Sequence, residues 1–128
     1  MPAIGQLGVS FVLEYEEKQE RNATDMETVQ RNYEGFDVKS VDKQNPSDVR
    51  YIEVKSTSGI WDCENPAQLH KSQFETAQEY GESFWLYVVE QVESDETKIY
   101  CIQNPANRVD AFMFDHGWRP LAEVIETT

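Results

Sequence analysis

The stretches GFDV (residues 35–38) and YIEVK (residues 51–55) decide the fold of this chain of 128 residues. In both stretches apolar residues alternate with polar ones, which is the pattern of a β-strand with one covered face. Residues 42–48 between them, DKQNPSD, are typical of a turn. We therefore expect the two strands to pair antiparallel.

The alternation also predicts which side chains share a face of the sheet. Asp37 falls on one face of the first strand, and Glu53 and Lys55 fall on one face of the second. If the apolar faces of both strands cover the same core, these three polar side chains converge on the opposite face. The residues expected to face the core are Phe36, Val38, Ile52 and Val54.

Two carboxylates and an ammonium group at one point suit a divalent cation with a lysine beside it. Metal-assisted hydrolysis of a phosphodiester requires this combination of groups. The simpler interpretation is that Lys55 forms a cross-strand ion pair with Asp37 or Glu53 at exposed strand positions. Such a pair would contribute little stability.

Six segments form an ordered set over roughly residues 5–106 and carry a family resemblance; they are 8–16, 35–40, 51–55, 69–77, 84–89 and 99–105. The set resembles the C-terminal domain of the NO VEIN family, which also occurs in many bacterial and archaeal proteins. Asp37 with the E-x-K triplet of residues 53–55 also resembles the PD-(D/E)xK nuclease superfamily. Such triplets arise by chance in many chains, so the ordered set carries the resemblance.

The resemblance implies an α/β fold, with a restriction-endonuclease-like mixed sheet flanked by helices in the order α-β-β-α-β-β plus a C-terminal segment. It implies cleavage of nucleic acid, with DNA expected, that depends on Mg²⁺ or Mn²⁺. Asp37 and Glu53 would bind the cation, and the Val54 carbonyl would be a further ligand because backbone oxygen suits a hard cation. Lys55 would orient the attacking water or stabilise charge that develops on the phosphate.

Gln73 lies where the superfamily often carries a polar residue that reaches toward the site. The NO VEIN-type pattern resembles Asn-Glu at this point, and this chain has Ser72 followed by Gln73. Two interpretations stay open: Gln73 positions a water or a phosphate, or it contacts the backbone at the start of its own helix.

The first helix departs from the family pattern, in which a Glu directly after a Gly can complete the metal site. Here Val9 follows Gly8. Glu14 or Glu16 would have to substitute from another turn of the helix, which the spacing does not favour. The departure favours a competing hypothesis, a catalytically silent nuclease-like module that binds DNA or a protein partner.

The net charge of −13, from 24 acidic and 11 basic residues, is unusual for a nucleic-acid-binding protein. Three interpretations stay open. Other domains of a larger protein grip the DNA, the few cations cluster on one face, or the domain does not bind nucleic acid. The cations expected near the site are Lys39, Lys43, Arg50 and Lys55.

Apolar periodicity predicts two helices, at residues 4–21 and 73–80, and Gly81 is a natural stop for the second. Residues 22–34 are ambiguous. Thr24 and Asp25 are expected to cap a short helix, or residues 26–30 are expected to form a brief strand.

Four strands are predicted, at residues 35–41, 50–56, 84–91 and 98–103, and the last two form a hairpin. The strand that begins at residue 84 is apolar almost throughout, so we expect it to be covered on both faces. The tail offers residues that would pack as one or two short helices: Phe112, Phe114, Trp118, Leu121 and Val124.

We expect residues 1–128 to form one nuclease-like domain that belongs to a larger phage-defence or processing protein. Cys63 and Cys101 are interpreted as free thiols in a reducing compartment, which predicts a cytoplasmic location. No apolar run approaches the length that spans a bilayer, so we expect no membrane partner.

Overall fold

The computed structural model describes residues 3–109 and 119–125. These residues form a mixed α/β structure that contains the predicted order of helix, two strands, helix and two strands, with one more strand and a short helix after the first helix. The helices are α1 (Ile4–Lys18), α2 (Met26–Val29) and α3 (Lys71–Tyr80), and the strands are β1 (Arg21–Asp25), β2 (Val38–Asp42), β3 (Val49–Ser56), β4 (Phe84–Glu90) and β5 (Lys98–Gln103). Short 3-10 helices cover Gly81–Ser83, Pro105–Arg108 and Arg119–Leu121.

The strands form a single mixed sheet in the order β1-β2-β3-β4-β5. The β2–β3 pair is antiparallel, with Val38 opposite Ile52, and the β4–β5 hairpin is antiparallel. Both pairings confirm the sequence prediction. The β3–β4 pair is parallel, and α3 lies in the crossover that parallel neighbours require.

The two faces of the sheet are covered by different helices. On one face α1 packs on the α1-face cluster, whose buried residues are Val12, Val38, Ile52, Val54, Tyr87, Val89 and Val92. On the other face α3 packs on the α3-face cluster, whose buried residues are Phe36, Ala77 and Phe84. Strand β4 contributes buried side chains to both clusters, which confirms that it is covered on both faces.

Gly8 allows α1 to approach β3 closely. A Cβ atom at this position would lie 1.7 Å from Ser56 Oγ and 2.9 Å from Ser56 Cβ. Because real side chains never approach so closely, any other residue would push the helix away from the strand. Close packing of α1 on β3 therefore explains why residue 8 is a glycine, whatever residue follows it.

Residues 19–34 differ from the prediction in part. Helix α1 ends at Lys18 rather than at residue 21, because Glu20 adopts a left-handed backbone (φ 58°) and Arg21 already belongs to β1. The Asp25 side chain accepts a hydrogen bond from the Glu27 N–H at 3.0 Å, so the capped short helix is confirmed and the strand at residues 26–30 is wrong. Strand β1 escaped prediction because its sequence, RNATD, carries no apolar alternation.

The C-terminal prediction is tested only in part. Residues 110–118 lie outside the described residues, and with them the predicted packing of Phe112, Phe114 and Trp118. Leu121 lies in a short helix, the 3-10 helix Arg119–Leu121, as predicted. Leu121 and Val124 are nevertheless 84% and 78% exposed, so the prediction that their side chains pack is wrong. Among the helices of residues 3–109 and 119–125, none has the length and apolar character needed to cross a membrane.

Candidate functional site

Asp37 lies at the point where the β2–β3 ladder ends. Its backbone N–H donates to the Ile52 carbonyl at 2.9 Å. Its carboxylate Oδ2 accepts from the Val54 N–H at 2.8 Å, in place of a backbone carbonyl. The aspartate therefore terminates the pairing and is held against β3 by two hydrogen bonds.

This termination overturns one expectation about the strand. Phe36 was expected to share the core face with Val38, but Val38 belongs to the α1-face cluster and Phe36 to the α3-face cluster. Regular alternation stops because β2 begins only at Val38. The Phe36 ring instead packs against Tyr51 and Tyr80, at centroid distances of 4.9 and 6.0 Å.

Glu53 projects from β3 toward the start of α3 and is only 5% exposed. Its Oε2 atom accepts a hydrogen bond from Gln73 Nε2 at 3.3 Å and lies 3.7 Å from Lys55 Nζ. The carboxyl groups of Asp37 and Glu53 are within hydrogen-bonding reach of each other. The structure thus brings together the three polar residues that the alternation placed on one face.

Gln73 makes the backbone contact at the start of its own helix that one interpretation predicted, and it also reaches two residues of the site. Its Oε1 accepts from the His70 N–H at 2.9 Å, which caps the start of α3. The same oxygen accepts from Lys55 Nζ at 3.0 Å, and the amide nitrogen donates to Glu53. One side chain therefore ties the helix start to both the acid and the lysine of the site.

The electrostatics of Glu53 are set by burial and by Asp37. Burial, followed by the charge of the neighbouring Asp37, raises the pKa of Glu53 to about 8, against the opposing effect of Lys55. Two adjacent carboxyl groups in a buried place favour sharing a proton or a cation over carrying two uncompensated charges.

The donor set suits a hard cation that keeps several water ligands. The hydrogen bonds from the Val54 N–H and from the Gln73 amide reach one oxygen of each carboxyl group, Asp37 Oδ2 and Glu53 Oε2. The N–H and C=O of a strand residue point to the same edge, so the Val54 carbonyl faces the side where Asp37 lies. No group of three or more His, Cys, Asp or Glu side chains that could hold a metal occurs among residues 3–109 and 119–125.

A polar cleft of about 270 Å³ opens beside the carboxyl groups. Its described lining contains three acidic residues and no lysine or arginine. The lining residues are Tyr33, Glu34, Phe36, Asp37, Glu53, Ser72 and Gln73. Sequence reasoning missed Tyr33 and Glu34, and the only signal for them was their place next to GFDV.

Two of the four cations expected around the site, Arg50 and Lys43, pair with other parts of the molecule. The Arg50 guanidinium lies 3.8 Å from the centroid of the Trp85 ring and donates to the Tyr87 hydroxyl at 2.9 Å, on the α1 face of the sheet. Lys43 pairs with Glu17 at 3.2 Å. Of these cations, Lys55 is the one that contacts the acidic pair.

The α1 residues do not complete the site. Val9, at the position of the family's glutamate, packs against the α1-face cluster. Glu16 is fully buried, and its two oxygens accept bonds from Arg21 at 2.7 Å each and from the Tyr87 hydroxyl at 2.9 Å. Glu14 pairs with Lys18 on the surface. Neither acid substitutes for the missing one.

Comparison with known proteins identifies the family. The family model described as Protein NO VEIN, C-terminal matches residues 8–102, from α1 through β5. No curated protein and no solved structure matches the chain. The matched stretch contains Asp37, Glu53, Lys55 and Gln73. The chain therefore belongs to the Protein NO VEIN, C-terminal family.

Proposed function

We propose that this domain hydrolyses phosphodiester bonds of nucleic acid, with DNA as the expected substrate, through a PD-(D/E)xK-type site that uses Mg²⁺ or Mn²⁺. The observation that carries the proposal is the convergence of four residues: Asp37, Glu53 and Gln73 line one cleft, and Lys55 Nζ contacts Glu53 and Gln73 beside it. The helix-strand-strand-helix-strand-strand core also supports it, because the restriction-endonuclease-like superfamily has that order.

Each residue has a role that its contacts support. Asp37, Glu53 and the Val54 carbonyl would hold the cation, with water in the remaining positions. When bound, the cation supplies Lewis acidity toward the phosphate and acidifies a water ligand. Lys55, 22% exposed, is placed to stabilise negative charge that develops on the phosphate oxygens.

Gln73 would be a positioning residue. Its amide fixes one oxygen of Glu53 and the ammonium of Lys55 relative to each other. In the reaction the oxygen of the attacking water bonds to phosphorus while the bond from phosphorus to the sugar oxygen breaks. Groups held within a narrow geometry contribute more to such a displacement than mobile ones do.

A cleavage assay on plasmid and single-stranded DNA, with Mg²⁺ or Mn²⁺, tests the proposal. We expect Asp37→Ala to abolish cleavage and Lys55→Ala to slow it about 10²- to 10³-fold. Lys71→Ala is the matched control, because it removes the same charge from a side chain that is 92% exposed. Cleavage by Lys55→Ala at the rate of the parent would disprove the role of the lysine.

A second candidate is a catalytically silent module that binds DNA or a protein partner. It is favoured by the acidic cleft lining and by Val9 in place of the helix glutamate. On this hypothesis, neither metal supports cleavage, and the parent and Lys55→Ala bind the same partner equally well. The cleavage assay and a binding assay on the same two proteins separate the candidates.

The setting of the domain is part of the proposal. We infer a role within a larger phage-defence or processing protein, in which other domains supply most of the affinity for nucleic acid. Cys63 and Cys101 are both free and exposed, which supports a reducing compartment such as the cytoplasm.

A further inference from the structure

An aromatic wall forms one side of the cleft. Tyr33 and Phe36 both line the cavity that holds Asp37 and Glu53. Their rings meet edge to face, at a centroid distance of 5.2 Å and an interplanar angle of 74°. Phe36 is 5% exposed and belongs to the α3-face cluster, whereas Tyr33 is half-buried. The Tyr33 ring therefore packs against the buried Phe36 ring, and part of its own surface remains exposed to a ligand.

Gly35 is what allows this arrangement. A Cβ atom at residue 35 would lie 2.8 Å from Cε1 and 2.9 Å from the hydroxyl oxygen of Tyr33. The ring folds back over the backbone at this point because the glycine has no side chain. Any side chain here would have to displace the tyrosine from the cleft wall.

The charges of the cleft exclude a ligand that is held mainly by its phosphates. Its described lining carries Glu34, Asp37 and Glu53 and no basic residue, and the molecule has a net charge of −13. A duplex presents many phosphates at once and binds chiefly through cations that neutralise them. Lys55 and a metal ion can neutralise the charge of one scissile phosphate. A row of phosphates would be repelled by the acidic lining.

Stacking supplies affinity without positive charge. A base on an aromatic side chain contributes about 1–3 kcal/mol, and any base can do so because every base has a π-face. Duplex DNA offers no free base face within its stack, whereas a single strand or an extruded nucleotide does. The volume of about 270 Å³ is just below the ~300–1,000 Å³ range of ligand pockets, which suits one nucleotide.

We infer that the cleft takes one unpaired nucleotide of a single-stranded nucleic acid, with its base stacked on Tyr33 and its phosphate directed to Lys55 and to a cation held by Asp37 and Glu53. This inference rests on the proposed function for the identity of the phosphate site. The aromatic wall and the lack of basic lining carry the choice of a single strand over a duplex.

Binding without cleavage tests the inference. Fluorescence anisotropy with Ca²⁺, a hard cation used in place of Mg²⁺, compares a short labelled thymine oligonucleotide, the same strand in a duplex with its adenine complement, and a strand with one abasic position. We expect the single strand to bind most tightly. Tyr33→Ala should weaken its binding about 5- to 150-fold, the equivalent of about 1–3 kcal/mol of stacking. Tyr33→Phe should keep the affinity of the parent.

Gly35→Ala is a second variant that acts through the same ring without removing it. It should weaken single-strand binding in the same direction as Tyr33→Ala, because the added methyl group meets the tyrosine ring. Circular dichroism of each variant must match that of the parent before binding is compared. If Gly35→Ala and Tyr33→Ala both bind the single strand like the parent, the stacking site is disproved.

The outcomes separate this inference from the proposed hydrolysis. Single-strand binding that depends on Tyr33, without cleavage under any metal, supports the inference and overturns the hydrolysis. Metal-dependent cleavage that prefers a duplex and ignores Tyr33→Ala supports the hydrolysis and overturns the inference. Absence of binding to every oligonucleotide overturns the inference as well.

Discussion

Two buried glutamates on opposite faces of the sheet have opposite environments. Glu16, on the buried side of α1, has no exposed surface, and Arg21 and the Tyr87 hydroxyl satisfy both of its oxygens. Glu53, under α3, is 5% exposed, is bonded by Gln73, and faces a second carboxyl group. The first carboxylate has the partners that a structural ion pair needs, whereas the second has a deficit of positive charge that a cation would fill.

The pKa directions express the same contrast. Burial by itself would raise the pKa of Glu16, but its hydrogen bonds from Arg21 and Tyr87 and the Arg21 charge lower it below its usual value. Burial and the Asp37 charge raise the pKa of Glu53 to about 8, because Lys55 only partly compensates. Burial alone therefore does not decide whether an acid stabilises the fold; its partners do.

Removal of Glu16 should have the largest effect on stability. Glu16→Ala leaves the Arg21 guanidinium, 13% exposed, without its bidentate partner, and breaking such a pair costs about 3–5 kcal/mol. Urea unfolding monitored by circular dichroism measures the loss. The matched control is Glu14→Ala, whose side chain is 66% exposed and pairs only with Lys18; its change should stay within about 0.5 kcal/mol.

If both variants lose the same free energy of unfolding, the distinction between a satisfied buried pair and a surface pair fails. Loss from Glu16→Ala alone would place the α1-face ion pair among the main stabilising contacts of the domain.

Neutralising Glu53 should instead stabilise the metal-free protein. Glu53→Gln removes an acid whose buried charge is unfavourable above its unfolded pKa of about 4.5. We expect a gain of about 1–3 kcal/mol at pH 8 in EDTA, reduced by the lost attraction to Lys55. The same variant should lose metal-dependent cleavage. A loss of stability at pH 8 would contradict the unfavourable burial of this carboxylate.

The pH dependence of the two variants should differ in sign. The folded pKa of Glu16 is lowered, so its stabilisation is present above its unfolded pKa of about 4.5 and is lost as the pH falls from there through the folded pKa. The folded pKa of Glu53 is raised to about 8, so stability is greatest below pH 4.5 and declines as the pH rises toward 8. Thermal unfolding in EDTA, from acid to alkaline pH, compares each variant with the parent.

The difference between Glu16→Ala and the parent should therefore shrink toward acid pH. The difference between Glu53→Gln and the parent should vanish at acid pH and grow with increasing pH. Parallel curves for all three proteins would show that neither acid has a shifted pKa.

Cation binding should give the smallest effect. Two acidic side chains leave much of the coordination shell to water, so affinity is expected to be weak. Mn²⁺ at ten times its Kd should raise the free energy of unfolding by about 1.4 kcal/mol, and Asp37→Ala combined with Glu53→Ala should remove this increase. The matched control, Glu14→Ala combined with Glu93→Ala, removes two exposed acids. Mn²⁺ should still raise the free energy of unfolding of this control. An increase that survives in the first double variant would place the ion elsewhere on the acidic surface.

Local pattern predicted most of the sheet but not all of its strands. The apolar run of β4 and the turn residues before β5 specify a covered strand and a hairpin. Strand β1 has no such signal, because the alternate residues that it half-buries, Arg21, Ala23 and Asp25, include two charged residues and so give no apolar alternation. The sequence also predicts an end of helix α1 that is too far along the chain, because the residues at which the helix ends are polar and mark no boundary in the apolar pattern.

The candidate site divides in a similar way. Alternation in β3 placed Glu53 and Lys55 together, and sequence order placed Gln73 at the start of a helix. Alternation failed at Phe36, because the Asp37 carboxylate replaces a ladder carbonyl and turns the chain. That Tyr33 and Glu34 line the cleft could be seen only in the tertiary structure.

The sequence by itself determined the family, four of the five sheet-forming segments and the residue types of an acid, acid and lysine site. These follow from side-chain periodicity and from motifs that are read along the chain. Only the tertiary structure decided that Glu16 is a satisfied buried acid, that Gln73 joins Glu53 to Lys55, and that Arg50 is used on the other face. Such facts depend on which distant groups meet. A side chain's charge, pKa and role are set by those neighbours in space, and the order of residues does not list them.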